Sequence, residues 1–406
     1  VRGWGEGCIM HLMSSTDYRR NARVFRITSV LQWFYVPIGV WVLIWRAYFS
    51  WEEIALINAI GLFVQLLLEL PSGALADLWG RKNTILVGRV LGVMGFAIMT
   101  VATDFWVFTL GNALYLANWA FESGALDALL FDSLRENGRK EGEYQRIQAD
   151  TFFWCTVGMA VSSVLGGYLY TLDPQFPYGA STLFAVLAFV SALYLQEPKL
   201  DSERVSFRAY LRQNWDGIVH IFRHIRVAAV SVFSISINFV AYVGLFYLYE
   251  PRLAEAGFPA SLLGILVAGT YVVRAISTKL IPLIMRLGDR KVPIFLAVFQ
   301  AVGSAISFVG TRAGAVGSVY LRKMSDGMRI PILSRIQNVE LESRYRATSL
   351  SAISLLGNLL IAGAGPLVGI INARYSVSFT LGLSSVIGVL VVLPSAIFLS
   401  RQIRSR

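Results

Sequence analysis

Apolar residues in this chain gather into twelve blocks of about 18 to 25 positions separated by short polar stretches, and a helix of that length crosses the roughly 30 Å hydrocarbon core of a bilayer. Inside lipid there is no water to satisfy backbone N–H and C=O groups, so spanning segments of this kind must be helices. The pattern predicts an all-α membrane protein with twelve transmembrane helices. Composition points the same way: of 406 residues, 55% are hydrophobic and 15% charged, against about 25% charged in an ordinary soluble domain.

The blocks run approximately over 25–45, 53–76, 84–103, 105–131, 146–171 and 178–196, then 227–250, 259–285, 292–310, 313–334, 347–372 and 376–400. Six precede and six follow the longest polar stretch, Glu197 to Arg226. This division predicts a cytoplasmic N-terminal tail (1–24), a six-helix bundle (25–196), a cytoplasmic linker (197–226), a second six-helix bundle (227–400) and a C-terminal tail (401–406). In the linker, Tyr210, Leu211, Trp215, Ile218, Val219 and Phe222 recur at helical spacing. That spacing fits an interfacial amphipathic helix, and a solvated connector fits equally well.

A net charge of +11 suggests nucleic acid in a soluble protein, but here the basic residues sit in short loops between apolar blocks. Alternating the loops across a bilayer places about twenty-five Lys and Arg on the side of both termini and about four on the other. Both termini are therefore expected in the cytoplasm, with the protein multi-pass in the inner membrane and without a nucleic-acid partner. Cys8 and Cys155 are the two cysteines, and His11, His220 and His224 the three histidines. Neither set forms a disulfide framework or a metal site. The polar, basic run from Asp17 to Arg26 argues against a cleavable signal peptide, whether translation starts at Val1, Met10 or Met13. A Gly-rich phosphate loop and a zinc-binding His-Glu pair are both missing from the sequence, so an ATP-driven pump, an enzyme and a cofactor are not expected.

Between the second and third blocks the chain reads Gly73-Ala74-Leu75-Ala76-Asp77-Leu78-Trp79-Gly80-Arg81-Lys82. Gly73 permits close approach of a neighbouring helix, and Gly80 permits a tight turn. Asp77 stands where its charge can face a helix N-terminus, and Arg81 can bridge Asp77 and Asp132. With Gly73, Asp77, Gly80, Arg81 and Lys82 in place, the loop resembles the signature loop of the major facilitator superfamily, with Leu78 replacing the usual basic residue. The resemblance extends to Glu69-Leu70-Pro71-Ser72, Ser123-Gly124-Ala125-Leu126 and Arg346-Ala347-Thr348, and points to a bacterial branch. It implies two six-helix bundles that rock about a midplane site, with helices 1, 4, 7 and 10 lining the cavity. The Asp77 partner would be helix 11, and the Gly73 to Asp132 cluster would latch the halves in one state.

Faint internal repetition accompanies the motif: Gly158, Gly166 and Gly167 in helix 5 against Gly357, Gly363, Gly365, Pro366 and Gly369 in helix 11, and Tyr115-Leu116 against Tyr320-Leu321. Departures from the family pattern bear on function. Ser162-Ser163 stand where antiporters carry a Gly-Pro pair, Asn118 lies near the place of an arginine found in drug antiporters, and Leu287 to Lys291 is only a degraded copy of the loop.

An ionisable side chain at bilayer depth costs at least about 2.5 to 3.5 kcal/mol, so each needs a partner or an aqueous cavity. The first half contributes the acids Glu69, Glu122, Asp127 and Asp150. The second contributes mainly bases, Arg274, Lys279, Arg322, Lys323 and Arg329, with Asp326. Arg322, Asp326 and Arg329 share one helical face and can form an ion-pair ladder. Glu122 is expected to meet that face across the cavity, with Glu122 or Asp127 carrying a coupling proton or, alternatively, with all these charges paired structurally. Glu69 and Asp150 are expected to be structural.

Gln32, Tyr35, Asn118, Trp119, Asn238, Tyr242 and Arg274 are the expected cavity residues, with Tyr247 beside them. Trp41, Trp45, Tyr48 and Trp51 suit interfacial anchors. These features lead to a functional monomer that exports a small organic or drug-like solute by alternating access in exchange for protons. Proton-coupled uptake of an anionic metabolite is the runner-up, and a non-coupled receptor or lipid scramblase is the reading from a different class.

Overall fold

A computed structural model of the chain describes residues 17–122, 124–139, 141–198, 219, 221, 223–341 and 346–403. Cys8, His11, His220 and most of the linker lie outside the described residues, as does the side chain of Asp77. Among the described residues the regular elements are all helical and group into twelve spans. In the first half α1 is Tyr18–Gln32 continued by Trp41–Arg46, α2 is Trp51–Trp79 and α3 is Arg81–Val101. Next come α4, Phe105–Glu122 continued by Ala125–Glu136, α5, Glu141–Leu172, and α6, Phe176–Ala192. In the second half α7 is Ile225–Val243 continued by Tyr249–Glu255, α8 is Ala260–Ser277 continued by Ile281–Met285, and α9 is Val292–Ala305. The last three are α10, Arg312–Glu340, α11, Arg346–Arg374, and α12, Val377–Ile387 continued by Leu393–Gln402.

Helix starts follow local chemistry. The Ser50 hydroxyl accepts from the Glu53 amide and the Glu53 carboxylate accepts from the Ser50 amide, a reciprocal cap that fixes the start of α2. Asp17, Thr311 and Ser376 cap α1, α10 and α12 in the same sense.

Of the interruptions that depart from the unbroken blocks read in the sequence, three lie in α1, α4 and α7. α1 breaks between Gln32 and Trp41, where Pro37 has no N–H to donate and Val36–Gly39 forms a 3₁₀ turn. α4 breaks at Gly124, whose φ of +81° suits glycine. α7 carries a π turn over Gly244–Leu248, the kind of local widening that re-aims side chains.

Large apolar side chains face outward along the spans, among them Val101, Trp106 and Leu390, each about 70% exposed. In water this would be an aggregation hazard, whereas in lipid it is the expected coat. Seven spans contain helices long and apolar enough to cross a membrane, and α6 and α9 are shorter apolar helices. Of the remaining three, α1 and α4 are interrupted, and α10 buries Arg322, Lys323, Asp326 and Arg329.

The halves meet along two seams, α5 on α8 and α2 on α11. Both are tight at the end away from the basic loops. A Cβ on Gly167 would come within 3.1 Å of the Gly264 Cα, one on Gly264 would overlap the Ser163 carbonyl, and the Ser163 hydroxyl donates to the Gly264 carbonyl at 2.8 Å. On the other seam a Cβ on Gly369 would lie 2.9 Å from the Trp51 carbonyl, and one on Gly365 would lie 3.1 Å from Ala59. Toward the basic end α2 and α11 separate: Gly73 and Gly357 have no described atom within 4 Å of an added Cβ. The close approach expected of Gly73 is thus not made in this state, because α2 and α11 have splayed by that level.

The same substitution should therefore act oppositely at two glycines. Gly264→Leu overpacks a closed seam and is expected to lower stability by about 1 to 3 kcal/mol. Gly357→Leu meets open space and should leave the thermal unfolding midpoint in detergent unchanged or slightly raised.

Candidate functional site

A cavity of about 430 Å³ lies between the halves, lined from α1, α2, α4, α5, α7 and α8. Its polar groups are Gln32, Asn58, Gln65, Asn112 and Glu250, and its aromatic walls are Trp33, Tyr35, Trp41, Trp45, Tyr115, Trp119, Phe246 and Tyr271. The backbone interruptions build it. The broken stretch of α1 turns Tyr35 inward to stack on Tyr115 at 5.5 Å, and the π turn of α7 presents Phe246. Trp45 donates its indole N–H to the Tyr178 hydroxyl at 2.6 Å, and that hydroxyl lies 3.3 Å from the Tyr35 hydroxyl. Trp41 and Trp45 are buried here, which corrects their assignment as interfacial anchors: restarting α1 after Pro37 rotates them into the bundle. Tyr48 remains exposed.

Past Leu62, Gln65 and Phe246 the cavity continues into a cleft lined by Glu69, Tyr242, Asn358 and Ile361, and then toward the basic end past Asn238, Gln337, Ser354 and Gly357. A separate recess of about 630 Å³ between α1, α4 and α5 holds Ser29, Glu122, Asp127, Gln148 and Cys155. Trp33 and Trp119 line both spaces and meet edge to face at 5.7 Å.

The expected charge contacts across the cavity are not made. Glu122 is held by Arg89 of α3 through two hydrogen bonds of 2.8 Å, with both side chains buried. Arg322 points away from it, donating to Tyr249 and Ser304 at 2.9 Å and to the Val240 carbonyl at 2.7 Å. The ladder on α10 is reduced to Asp326 with Arg329 at 3.4 Å, because Arg322 is drawn to α7 and α9. Arg329 also bonds Asn238 and lies over the Tyr242 ring at 5.3 Å. Lys323 pairs with Glu250 at 3.8 Å. Asp127 is exposed and accepts from Gln148 at 3.0 Å, and Asp150 pairs with Arg26 at 3.1 Å on the surface.

Of the expected cavity residues, Gln32, Tyr35 and Trp119 line the cavity, while Asn238 and Tyr242 line the cleft. Asn118 does not: it is fully buried between α3 and α4, where the missing side chains of Gly88 and Gly92 make room for it. Arg274 is half-buried on α8 and outside the lining. Tyr247 packs on Gly365 at the closed seam.

The signature loop is tied within the first half. Gly80 turns with φ +90°, Arg81 pairs with Asp132 and donates to the Ala128 carbonyl at 2.6 Å. The Glu197 carboxylate accepts the Arg81 and Lys82 amides at 2.8 and 2.6 Å, placing an anion on the N-terminus of α3. These contacts join α3, α4 and the end of α6 within the first half, while the Asp77 contact to α11 that would make the cluster a latch falls on a side chain outside the described residues. Sequence reading missed Glu197, Glu250 and the Arg89 pairing. Arg89 carried a usable signal, a base in mid-block that must find an acid at its own depth.

Two six-helix halves around a midplane cavity, sealed at one end and open at the other, define a membrane transporter and not an enzyme. The chain belongs to the Major Facilitator Superfamily, whose family model matches residues 26–366. It is similar to the uncharacterized MFS-type transporter YxaM of Bacillus subtilis, 20% identical over 84% of this chain and 88% of that protein. It is also similar to the multidrug resistance protein MdtH of Photorhabdus laumondii, 25% identical over 43% of this chain and 41% of that one. Among solved structures, the nucleoside transporter NupG superposes with a TM-score of 0.77 at 13% identity, over 93% of this chain and 98% of that chain. At that identity the likeness shows the fold.

Removing one member of the buried pair should be worse than removing both. Arg89→Met strands the Glu122 carboxylate and is expected to cost about 3 to 5 kcal/mol, whereas Arg89→Met with Glu122→Leu should recover most of it. Thermal unfolding midpoints of the three proteins in detergent measure the difference.

Proposed function

We propose that this chain is a proton-coupled exporter of a small aromatic or amphipathic organic solute, neutral or cationic, acting as a monomer with both termini in the cytoplasm. The observation that carries the reading is the central cavity itself, walled by Trp, Tyr and Phe, with four amides and the Lys323-paired Glu250 as its polar groups, which suits a flat organic solute. Basic loops cluster at the end where the cleft opens, so by the charge rule for membrane loops that end faces the cytoplasm and the solute enters from inside. The printed name of MdtH, a multidrug resistance protein, is in keeping with export.

Uptake of an anionic metabolite finds less support. Arg322, Lys323 and Arg329, the bases that would hold a carboxylate or phosphate, are each engaged by α7 or α10 partners. An added anion would have to displace those contacts and strand their partners.

Everted vesicles with an imposed proton gradient, acid inside, test the reading with ethidium as the cationic aromatic probe. Ethidium should accumulate, a protonophore should abolish accumulation, and Trp119→Ala or Gln65→Ala should reduce the initial rate roughly tenfold, the order of a lost stacking contact or hydrogen bond. Accumulation of benzoate in place of ethidium, or flux indifferent to the gradient, contradicts it.

A further inference from the structure

Glu69 stands apart from the buried acids Glu122, Asp132, Glu250 and Asp326, each of which pairs with a base. It lies on α2 about 27 Å of helix from Trp51 and about 15 Å short of Trp79, at the basic-end limit of the apolar stretch Trp51–Glu69. Its carboxylate lines the cleft between the halves beside Tyr242 of α7 and Asn358 of α11, and no described residue forms an ion pair or hydrogen bond with it. Glu122 and Glu250, by contrast, are each engaged by a base. Sequence reading assigned Glu69 a structural role from its place near a helix end, but α2 extends well beyond it and the carboxylate has nothing to brace.

We propose that Glu69 is the coupling carboxylate, and that its protonation permits α2 and α11 to close at the basic end. This rests on the proton-coupled reading above and names the group that carries it. Ser72 donates to the Ala120 carbonyl at 2.8 Å, tying this stretch of α2 to α4, so Glu69 moves with the first half. Gly73 and Gly357 leave room for the two helices to meet. Closure presses Glu69 against α11, whose sequence from Ala347 to Ala373 holds no charged residue. An ionised carboxylate buried there has no counter-ion, and the cost of desolvating it opposes closure. Taking up one proton converts it to a neutral acid that Asn358 can bond, and the barrier is removed.

Other charges nearby are committed elsewhere. On α3 and α4, Arg89 holds Glu122 and Arg81 holds Asp132, while Asp127 faces the separate recess. On α7 the titratable group in the cleft is Tyr242, and behind it Arg329 of α10 is shared between Asn238 and Asp326. Asp77 lies further along α2 itself.

The test needs no solute. In a Cys8→Ser/Cys155→Ser background, spin labels at Leu78→Cys and Thr348→Cys report the basic end, and labels at Tyr48→Cys and Tyr375→Cys report the opposite end. Distances are measured in lipid nanodiscs between about pH 8 and about pH 5, a range that spans carboxylate titration in an apolar site. Acidification should shift the parent protein from a long to a short basic-end distance and lengthen the opposite one. Glu69→Gln should lose that shift and hold the short basic-end distance at both pH values, while Glu69→Asp, which keeps the charge, should retain it. Asp150→Asn, on the surface and paired with Arg26 away from the cleft, should respond like the parent. A shift that persists in Glu69→Gln overturns the proposal and leaves proton coupling standing. Loss of the shift in Glu69→Asp as well overturns it in favour of a packing role, and no shift in the parent overturns both readings.

Discussion

The arrangement depends on one contact, the meeting of glycine-bearing helices at the end away from the basic loops. Gly167 on Gly264 and Gly369 on Trp51 and Ala55 bring backbones together closely enough to seal that end. Lipid offers apolar helices little reason to associate, so packing of this closeness is what holds the halves. It also leaves α2 and α11 free at the opposite end, where Gly73 and Gly357 stand clear of any described neighbour. The cavity, its open cleft and the exposed edge of α2 all follow from that geometry.

A second constraint complements the first. The ion pairs of Arg81, Arg89, Lys323 and Arg329 each stay within one half. Buried pairs are costly to break, so a half that neutralises its own charges can rotate against the other as a rigid body without exchanging partners. Arg322, with its donors spent on Tyr249, Ser304 and Val240, stiffens α7, α9 and α10 into one unit. Glu69 is the exception, at the surface where the two bodies part.

Apolar block length made the twelve spans legible, and Gly80, Arg81 and Lys82 made the family legible, because membrane burial and tight turns leave strong local signals. Pairings were not legible. Glu122 could be placed on a cavity-lining helix, yet nothing in its neighbourhood along the chain says that Arg89, one span earlier, sits at its depth and on its side. The interruption of α1 was half visible in Pro37 and Gly39, but its consequence, turning Trp41 and Trp45 from interface to cavity, required knowing how the helix restarts. Asn118 was misplaced for the related reason that helix rotation, unlike helix position, depends on the neighbours' glycines.

Sidedness of a single cysteine in the cavity tests the account most directly. With Asn58→Cys as the lone cysteine, a membrane-impermeant maleimide is offered at neutral pH to everted and to right-side-out vesicles. A cavity sealed at one end and open at the basic end, which we propose faces the cytoplasm, predicts rapid labelling in everted vesicles and protection in right-side-out ones. Equal labelling from both sides, or labelling only from the outside, would contradict it.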